Sequence, residues 1–439
     1  MHVVRLDRPW LETDFLIQGF VINDEETLQA LVSQCHYVYV EARLETLSIE
    51  KHKKPYLPSL QRFFLNRVSR SKTVKVPTPT KLPTKEGIQR PPLPHQKITY
   101  SNRIRTEQEL PVAREAYSSA KNTVRSIMEG VRLGRMIDMN QARKTVDGVV
   151  DSILRNNDAL ACLIKLKEKD EYTAEHSLNV CILTATFARH LGHEEADVRQ
   201  AALCGFLHDL GKARVPLEVL NKVGRYTAEE LEVMRAHPAH GRDLLMEMES
   251  TNLVAMEVAY SHHERLDGKG YPRGLFGPHI SYFAKMVAIT DCYDAITSAR
   301  VYDGARASME ALDIIYKCRG SQFDPQLAIE FIKCIGIYPP GSIVEFTNGE
   351  VGIIVASQEK NKLRPRVLIV LNAQKEDLQN KMVDLHAGDL DDRKEPYLIA
   401  HELPNGAFGV DLKEYLRRGL VLGSAVKELD INFDDFPKI

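Results

Sequence analysis

Two periods of apolar residues divide this chain. Near the start, FLIQGFVI (15–22) and HYVYVEA (36–42) read as strands, and DEETLQALVSQC (24–35) between them repeats its apolar positions at helical spacing. That predicts a small α/β module over residues 1–66. The pattern then stops. Residues 67–98 are rich in Pro, Thr and basic side chains and poor in large apolar ones, so they cannot bury enough surface to fold and are expected to be a flexible linker.

From about Glu107 to Phe331 apolar residues return every three to four positions almost throughout. TFARHLGHEEADVRQAALCGFLHDLGK (186–212) reads as one helix ended by Gly211 in a C-terminal cap. Thr227 and Glu230 form a capping box for the next helix. The His237-Pro238 step should end that helix and start another with Pro238 in its first turn. After Tyr338-Pro339-Pro340-Gly341 the period falls to two. SIVEF, VGIIVA and RVLIVL read as strands, Asn348-Gly349 as a hairpin turn, and LKEYLRRG as a short helix.

The predicted protein is therefore multidomain. A small α/β N-terminal module (1–66) and the linker (67–98) precede connecting helices (99–160). A central all-α helical bundle (161–338) and a small β-rich C-terminal domain (339–439) follow. The length of 439 residues and a hydrophobic content of 44% allow cores of that size. A formal net charge of -2 gives no global field toward nucleic acid or a membrane, so attraction for an anionic ligand must be local. No apolar run reaches the ~18 residues of a spanning helix. The N-terminal MHVVRLDRPWLETDF lacks a secretory pattern, and the expected location is cytoplasmic. The seven cysteines are scattered without a CxxC, as expected of buried thiols in a reducing compartment.

The titratable residues of the helical region are not scattered. His176, the adjacent pair His208-Asp209 with Lys212, His237, the doublet His262-His263, and then Asp291 and Asp294 each lie within or at the end of an apolar helical run. Isolated histidines such as His190, His193, His240 and His279 are read as satisfied core or surface residues. A buried unpaired imidazole or carboxylate is costly, and a cation satisfies several at once. Imidazole with carboxylate suits Fe, Mn, Ni or Zn. Two such ions about 3.5–4 Å apart can activate a water and clamp a phosphate.

HDLGK followed by HHERLDGKGYP resembles the HD-GYP family of cyclic di-GMP phosphodiesterases, a branch of the HD phosphohydrolases. The similarity continues through DCYDAITSARVYD and GSQFDPQLAIEFI and covers about residues 165–335. RLDRPWLETDFLIQGFVI resembles a module of unknown function common before HD-GYP domains. The resemblance implies that His176, His208, Asp209 and Asp291 hold one metal. Asp209 would bridge to a second, completed by His237, His262 and His263. Lys212 would face the scissile phosphate and Arg300 would bind phosphate oxygens. Tyr271 and Pro272 would shape the loop beside the pocket, with Gly268 and Gly270 permitting its path. Glu264 and Asp294 would orient ligands by hydrogen bonds.

The implied cofactors are two divalent metal ions, Fe or Mn by preference, with Ni, Zn or Mg as alternatives. The implied reaction opens cyclic di-GMP to pGpG, with GMP as a further product left open. Protein partners in cyclic di-GMP signalling and a homodimer are compatible with this reading; nucleic acid and membrane insertion are not expected. Three departures stand out. Tyr172 occupies the position of a carboxylate that binds a third metal in some members, which predicts two metals. Val301-Tyr302-Asp303 replaces the usual Pro-Tyr-Arg or Pro-Tyr-Lys, putting an anion where a phosphate-facing cation stands, with Arg306 nearby. The N-terminal module normally begins earlier, so Met1 is compatible with an internal start lacking a first strand. The rival readings are a non-catalytic cyclic di-GMP receptor, an HD hydrolase of another nucleotide, and a di-iron protein that reacts with oxygen.

Overall fold

The computed structural model describes residues 2–6, 20–21, 29, 38–40, 97–166, 172–222, 224–247, 252–298, 308–358, 362 and 364–418. The chain divides into two compact units, Met1–Gln89 and Arg90–Ile439.

In the first unit, strands β1 (His2–Leu6), β2 (Phe20–Val21) and β3 (Val38–Val40) form an antiparallel sheet in the order β2-β1-β3. β2 and β3 fall inside the two runs expected to be strands. β1 was not anticipated from the sequence. Apart from Gln29, which is helical, the helix expected at 24–35 lies outside the described residues, as does the expected linker up to residue 96.

The second unit opens with α1 (Thr106–Arg132), α2 (Met139–Arg155) and α3 (Asn157–Leu163). The Asp138 and Asn156 side chains accept from the first free backbone N–H groups of α2 and α3, which fixes where those helices begin. α4 (Tyr172–Leu191) and α5 (Glu195–Leu207) pack together at the centre. From Ala174 to Arg189 every residue of α4 is buried, as a helix surrounded by other helices requires. The single helix expected over 186–212 is thus two. Gly192, at φ 79°, breaks it, and α5 ends at Leu207 rather than at Gly211. The apolar spacing carries through the break because both helices bury the flanking residues.

α6 (Leu217–Leu220), α7 (Ala228–Arg235), α8 (His237–Glu247) and α9 (Leu253–Ser261) follow. The Thr227–Glu230 capping box is formed, and Pro238 sits in the first turn of α8. α10 (Tyr282–Thr297), α11 (Ser308–Lys317) and α12 (Pro325–Ile335) close the bundle. Its core includes Leu178, Ile182 and Phe187 of α4, Phe206 and Leu207 of α5, Met286 and Ile289 of α10, and Phe331 of α12.

The C-terminal region is an antiparallel sheet in the order β7-β6-β5-β4-β8, from β4 (Ile343–Phe346), β5 (Val351–Ala356), β6 (Arg366–Leu371), β7 (Asp377–Asp384) and β8 (Ile399–Leu403). β4 and β5 pair across the Asn348-Gly349 turn, and the short helix α13 (Leu412–Arg417) follows. β5 and β6 are buried almost along their whole length, with Ile354, Val367 and Ile369 packing on Val344, Phe346 and Tyr397. Glu402 on β8 joins sheet to bundle. Its carboxylate accepts from Ser342 Oγ at 2.7 Å and from the Ser308 backbone N–H at 3.0 Å, at the start of α11. Among the described residues no helix is long and apolar enough to cross a membrane.

Candidate metal centre

Five separate helices bring the titratable residues together. His176 projects from the first turns of α4, and His208 and Asp209 follow the end of α5. His237 begins α8, His262 and His263 follow α9, and Asp291 lies on α10. His176, His208, Asp209, His237 and His262 are all at most 3% exposed.

Hydrogen bonds at the far side of each ring fix the tautomers. His208 Nδ1 lies 2.7 Å from the Gly205 carbonyl, His237 Nδ1 2.7 Å from the Met234 carbonyl, and His262 Nδ1 3.0 Å from the Ala259 carbonyl. A carbonyl oxygen can only accept, so each Nδ1 carries the proton and each Nε2 presents a lone pair. His176 Nδ1 is 2.8 Å from Asp294 Oδ2 and is held in the same way. The four Nε2 atoms converge on Asp209. His237 and His262 approach its Oδ1 at 3.2 and 3.7 Å, while His176 and His208 approach its Oδ2 at 3.4 and 3.3 Å.

Lone pairs that face one another in a buried space repel. His237 Nε2 and His262 Nε2 are 3.2 Å apart, and His176 Nε2 is 2.9 Å from Asp291 Oδ1. Among the described residues, His208 Nε2 and Asp209 Oδ1 are buried without a hydrogen-bond partner. Burial of such atoms costs several kcal/mol unless a cation meets them. The donor set, imidazole with carboxylate, suits a divalent transition metal. The residues fit such ions in two groups: Asp209, His237, His262 and His263, and His176, His208 and Asp209.

The electrostatics agree. Burial pulls His262 well below the usual imidazole range, helped by the neighbouring His263, His208 and His237, and burial takes His263 down to about 3. Burial opposes the charge on Asp209, yet Lys212 and the imidazoles outweigh it and hold the carboxyl well below its ordinary value. Asp291 is likewise held down against burial, chiefly by His176. At neutral pH His262 and His263 are thus neutral donors and the two carboxyls are anions, the states that ligate metal.

Around this core, the Lys212 ammonium pairs with Asp209 Oδ2. The Tyr271 ring stacks on His263 with centroids 4.6 Å apart, and the Arg235 guanidinium lies 5.4 Å from the Tyr271 centroid. The expectation that Glu264 orients a ligand imidazole is not met. Its carboxylate accepts from the Arg273 and Leu275 backbone N–H groups at 2.7 and 2.8 Å and so pins the Tyr271–Leu275 loop. That loop folds so tightly that a Cβ on Gly270 would lie 2.4 Å from the Arg265 nitrogen. Asp294 Oδ2 lies 2.8 Å from His176 Nδ1. Arg300, Asp303, Arg306 and the Tyr172 side chain lie outside the described residues.

Gly211 corrects a second expectation. It lies in a 3-10 turn, Leu210–Arg214, and caps no α-helix. A Cβ there would stand 1.9 Å from the His237 carbonyl oxygen and 2.4 Å from the Gly241 nitrogen, so its role is to let the HD turn touch α8. Asn179 and Glu175, which flank His176 on α4, were missed. Asn179 lies three residues beyond His176, on the same helix face, and that spacing was the available signal. His190, His193, His240 and His279 take no part in the cluster; His193, for example, bonds Tyr282 at 2.8 Å.

Residues 158–327 match the family described as HD domain, and residues 1–142 match a domain of unknown function (DUF3391). A cyclic di-GMP phosphodiesterase of Pseudomonas aeruginosa is 39% identical over 291 residues, which is 66% of this chain and 70% of the relative. The cyclic di-GMP phosphodiesterase response regulator RpfG of Xanthomonas campestris is 42% identical over 140 residues, 32% of this chain and 37% of the relative. A 3'3'-cGAMP-specific phosphodiesterase of Vibrio cholerae is 34% identical over 174 residues, 39% of this chain and 37% of the relative.

Proposed function

The chain belongs to the HD-GYP family of HD-domain phosphodiesterases, and on that premise we propose that it hydrolyses cyclic di-GMP to linear pGpG at a centre of two divalent cations. One observation carries the reading. The two oxygens of a single buried carboxylate, Asp209, face two different imidazole pairs, which is the geometry of a bridging ligand. His176, His208, Asp209 and Asp291 would hold one cation, and Asp209, His237, His262 and His263 the other. Fe or Mn suits this mixed donor set best.

Cations bound there would acidify a water and neutralise charge on the phosphate. The chain's own residues do the rest. The backbone carbonyls of Gly205, Met234 and Ala259 keep each imidazole turned inward with its lone pair forward. Lys212 adds a positive charge beside the carboxylate and is assigned to stabilise the negative charge that grows on the phosphate. Tyr271, stacked on His263, forms a wall against which a guanine or ribose can lie, and Glu264 holds that wall in place. Arg300 is assigned to phosphate oxygens. The bundle at 161–338 would carry catalysis, with the module at 1–66, the linker at 67–98, the helices at 99–160 and the sheet region at 339–439 as accessories in a cytoplasmic protein.

The test is a comparison of substrates. Protein loaded with Mn²⁺ without oxygen is given cyclic di-GMP or 3'3'-cGAMP, and products are separated by chromatography. Faster conversion of cyclic di-GMP, with pGpG appearing first, is expected. Tight binding without turnover would make the protein a receptor. Preference for 3'3'-cGAMP would make it a hydrolase of another dinucleotide.

A further inference from the structure

His176 is supported from outside the bundle segment that carries the other ligands. α1 runs antiparallel to α4, and two of its side chains, one turn apart, meet two side chains of α4, also one turn apart. Tyr117 Oη donates to Asn179 Oδ1 at 3.3 Å, and Lys121 Nζ pairs with Glu175 Oε1 at 2.8 Å. Glu175 immediately precedes His176. Asn179 passes the contact on, since its Nδ2 donates to Asp294 Oδ1 at 3.1 Å and Asp294 Oδ2 holds His176 Nδ1 at 2.8 Å. Glu175, Asn179 and Asp294 are at most 4% exposed, so the amide and both carboxylates are desolvated and each such partner counts, among them Ser298 Oγ, which donates to Asp294 Oδ2 at 3.0 Å.

The origin of α1 gives the contact its meaning. The helix lies wholly within the N-terminal family match at 1–142, whereas the HD-domain match begins at 158. A helix of the accessory segment therefore grips the turn that carries a ligand of the catalytic segment. We propose that Tyr117 and Lys121 are positioning residues of the metal centre: through Asn179–Asp294 and through Glu175, α1 sets the orientation of His176 and hence the strength with which a cation is held there. Partners behind a ligating histidine fix its ring and raise its basicity. A shift of α1 along α4 would break both contacts together, which couples the position of α1 to His176 through hydrogen bonds and an ion pair.

The inference rests on the metal-centre reading, and the experiment separates the two. Mn²⁺ binding to the full-length protein is measured by titration against a competing chelator for wild type, Y117F, K121M, K121R and His176→Ala. The ligand-field spectrum of the Co²⁺-loaded forms and the melting temperature of the metal-free forms are recorded as well. Y117F and K121M should each weaken one Mn²⁺ binding step about tenfold and alter the Co²⁺ spectrum. K121R, which keeps the ion pair, should restore wild-type affinity. Lower melting temperatures with unchanged affinities and spectra would overturn the inference and reduce both residues to packing. If His176→Ala binds Mn²⁺ as wild type does, the metal-centre reading fails, and this inference with it. Should K121M not fold, Y117F, which loses one hydroxyl, carries the test alone.

Discussion

Gly211→Ala adds one methyl group and should disable the centre. The new Cβ would stand 1.9 Å from the His237 carbonyl oxygen, with the Gly241 nitrogen at 2.4 Å and the His237 carbonyl carbon at 2.9 Å. Carbon and oxygen that are not bonded need at least ~3 Å, so the HD turn and the start of α8 must separate by about 1 Å. All three obstructing atoms are backbone, and no side chain can swing aside. His237 moves with α8, and Asp209 and Lys212 move with the turn. Metal–ligand distances tolerate about 0.2 Å, and a 1 Å misplacement of a reacting group can cost about 10²-fold in rate. The variant should lose the cation shared by His237, His262 and Asp209, fall at least about 100-fold in turnover, and be destabilised by about 1–3 kcal/mol. Metal analysis after desalting, steady-state hydrolysis and urea unfolding measure the three effects. Gly148→Ala is the control. It lies mid-α2 with open space around its would-be Cβ and should fold at least as stably as wild type. A Gly211→Ala protein with two metals and wild-type turnover would refute the close-approach argument.

Two further outcomes follow from the site. The metal-free protein should weaken as the pH falls. His262 and His263 are held below their unfolded value near 6.5, so their contribution is intact above that value and is lost as pH drops toward the folded ones. The expected loss between pH 7.5 and 5.5 is about 1.4 kcal/mol for each histidine, read by urea unfolding; equal stability at both values would contradict the neutral-imidazole assignment. Glu264→Ala removes the anchor of two backbone N–H groups in the Tyr271–Leu275 loop but no metal donor. It should raise the Michaelis constant about tenfold while metal content stays at the wild-type level, and metal loss would show that Glu264 acts on a ligand after all.

What the sequence disclosed and what it hid divide along physical lines. The adjacent pairs His208-Asp209 and His262-His263 were legible together with His176, His237 and Asp291, because one such pair arises by chance but several titratable groups spread over one apolar helical region have few inert explanations. The carbonyls of Gly205, Met234 and Ala259 were not, because any residue supplies a carbonyl and only backbone geometry selects these three. Gly211 was visible as a glycine, yet its cause is the approach of His237 from a different helix. Glu264 sits in the same motif as the ligands, and only the path of the loop shows that it faces Arg273 and Leu275. The helix break at Gly192 was hidden by apolar spacing that continues through it. β7 and β8 escaped notice because they are edge strands with little alternating apolar signal, and the polar Glu402 of β8 turns inward to Ser342 and Ser308.

The claim on which the rest depends is that Asp209 bridges two catalytic cations. Wild type and Asp209→Ala, purified without oxygen and loaded with Mn²⁺, should be compared for metal stoichiometry and for conversion of cyclic di-GMP in the same preparations. The account predicts two Mn²⁺ per chain and pGpG formation for wild type, and for the variant neither bound metal nor product, although both proteins fold. An Asp209→Ala protein that keeps its metal and turns over cyclic di-GMP at near the wild-type rate would contradict it.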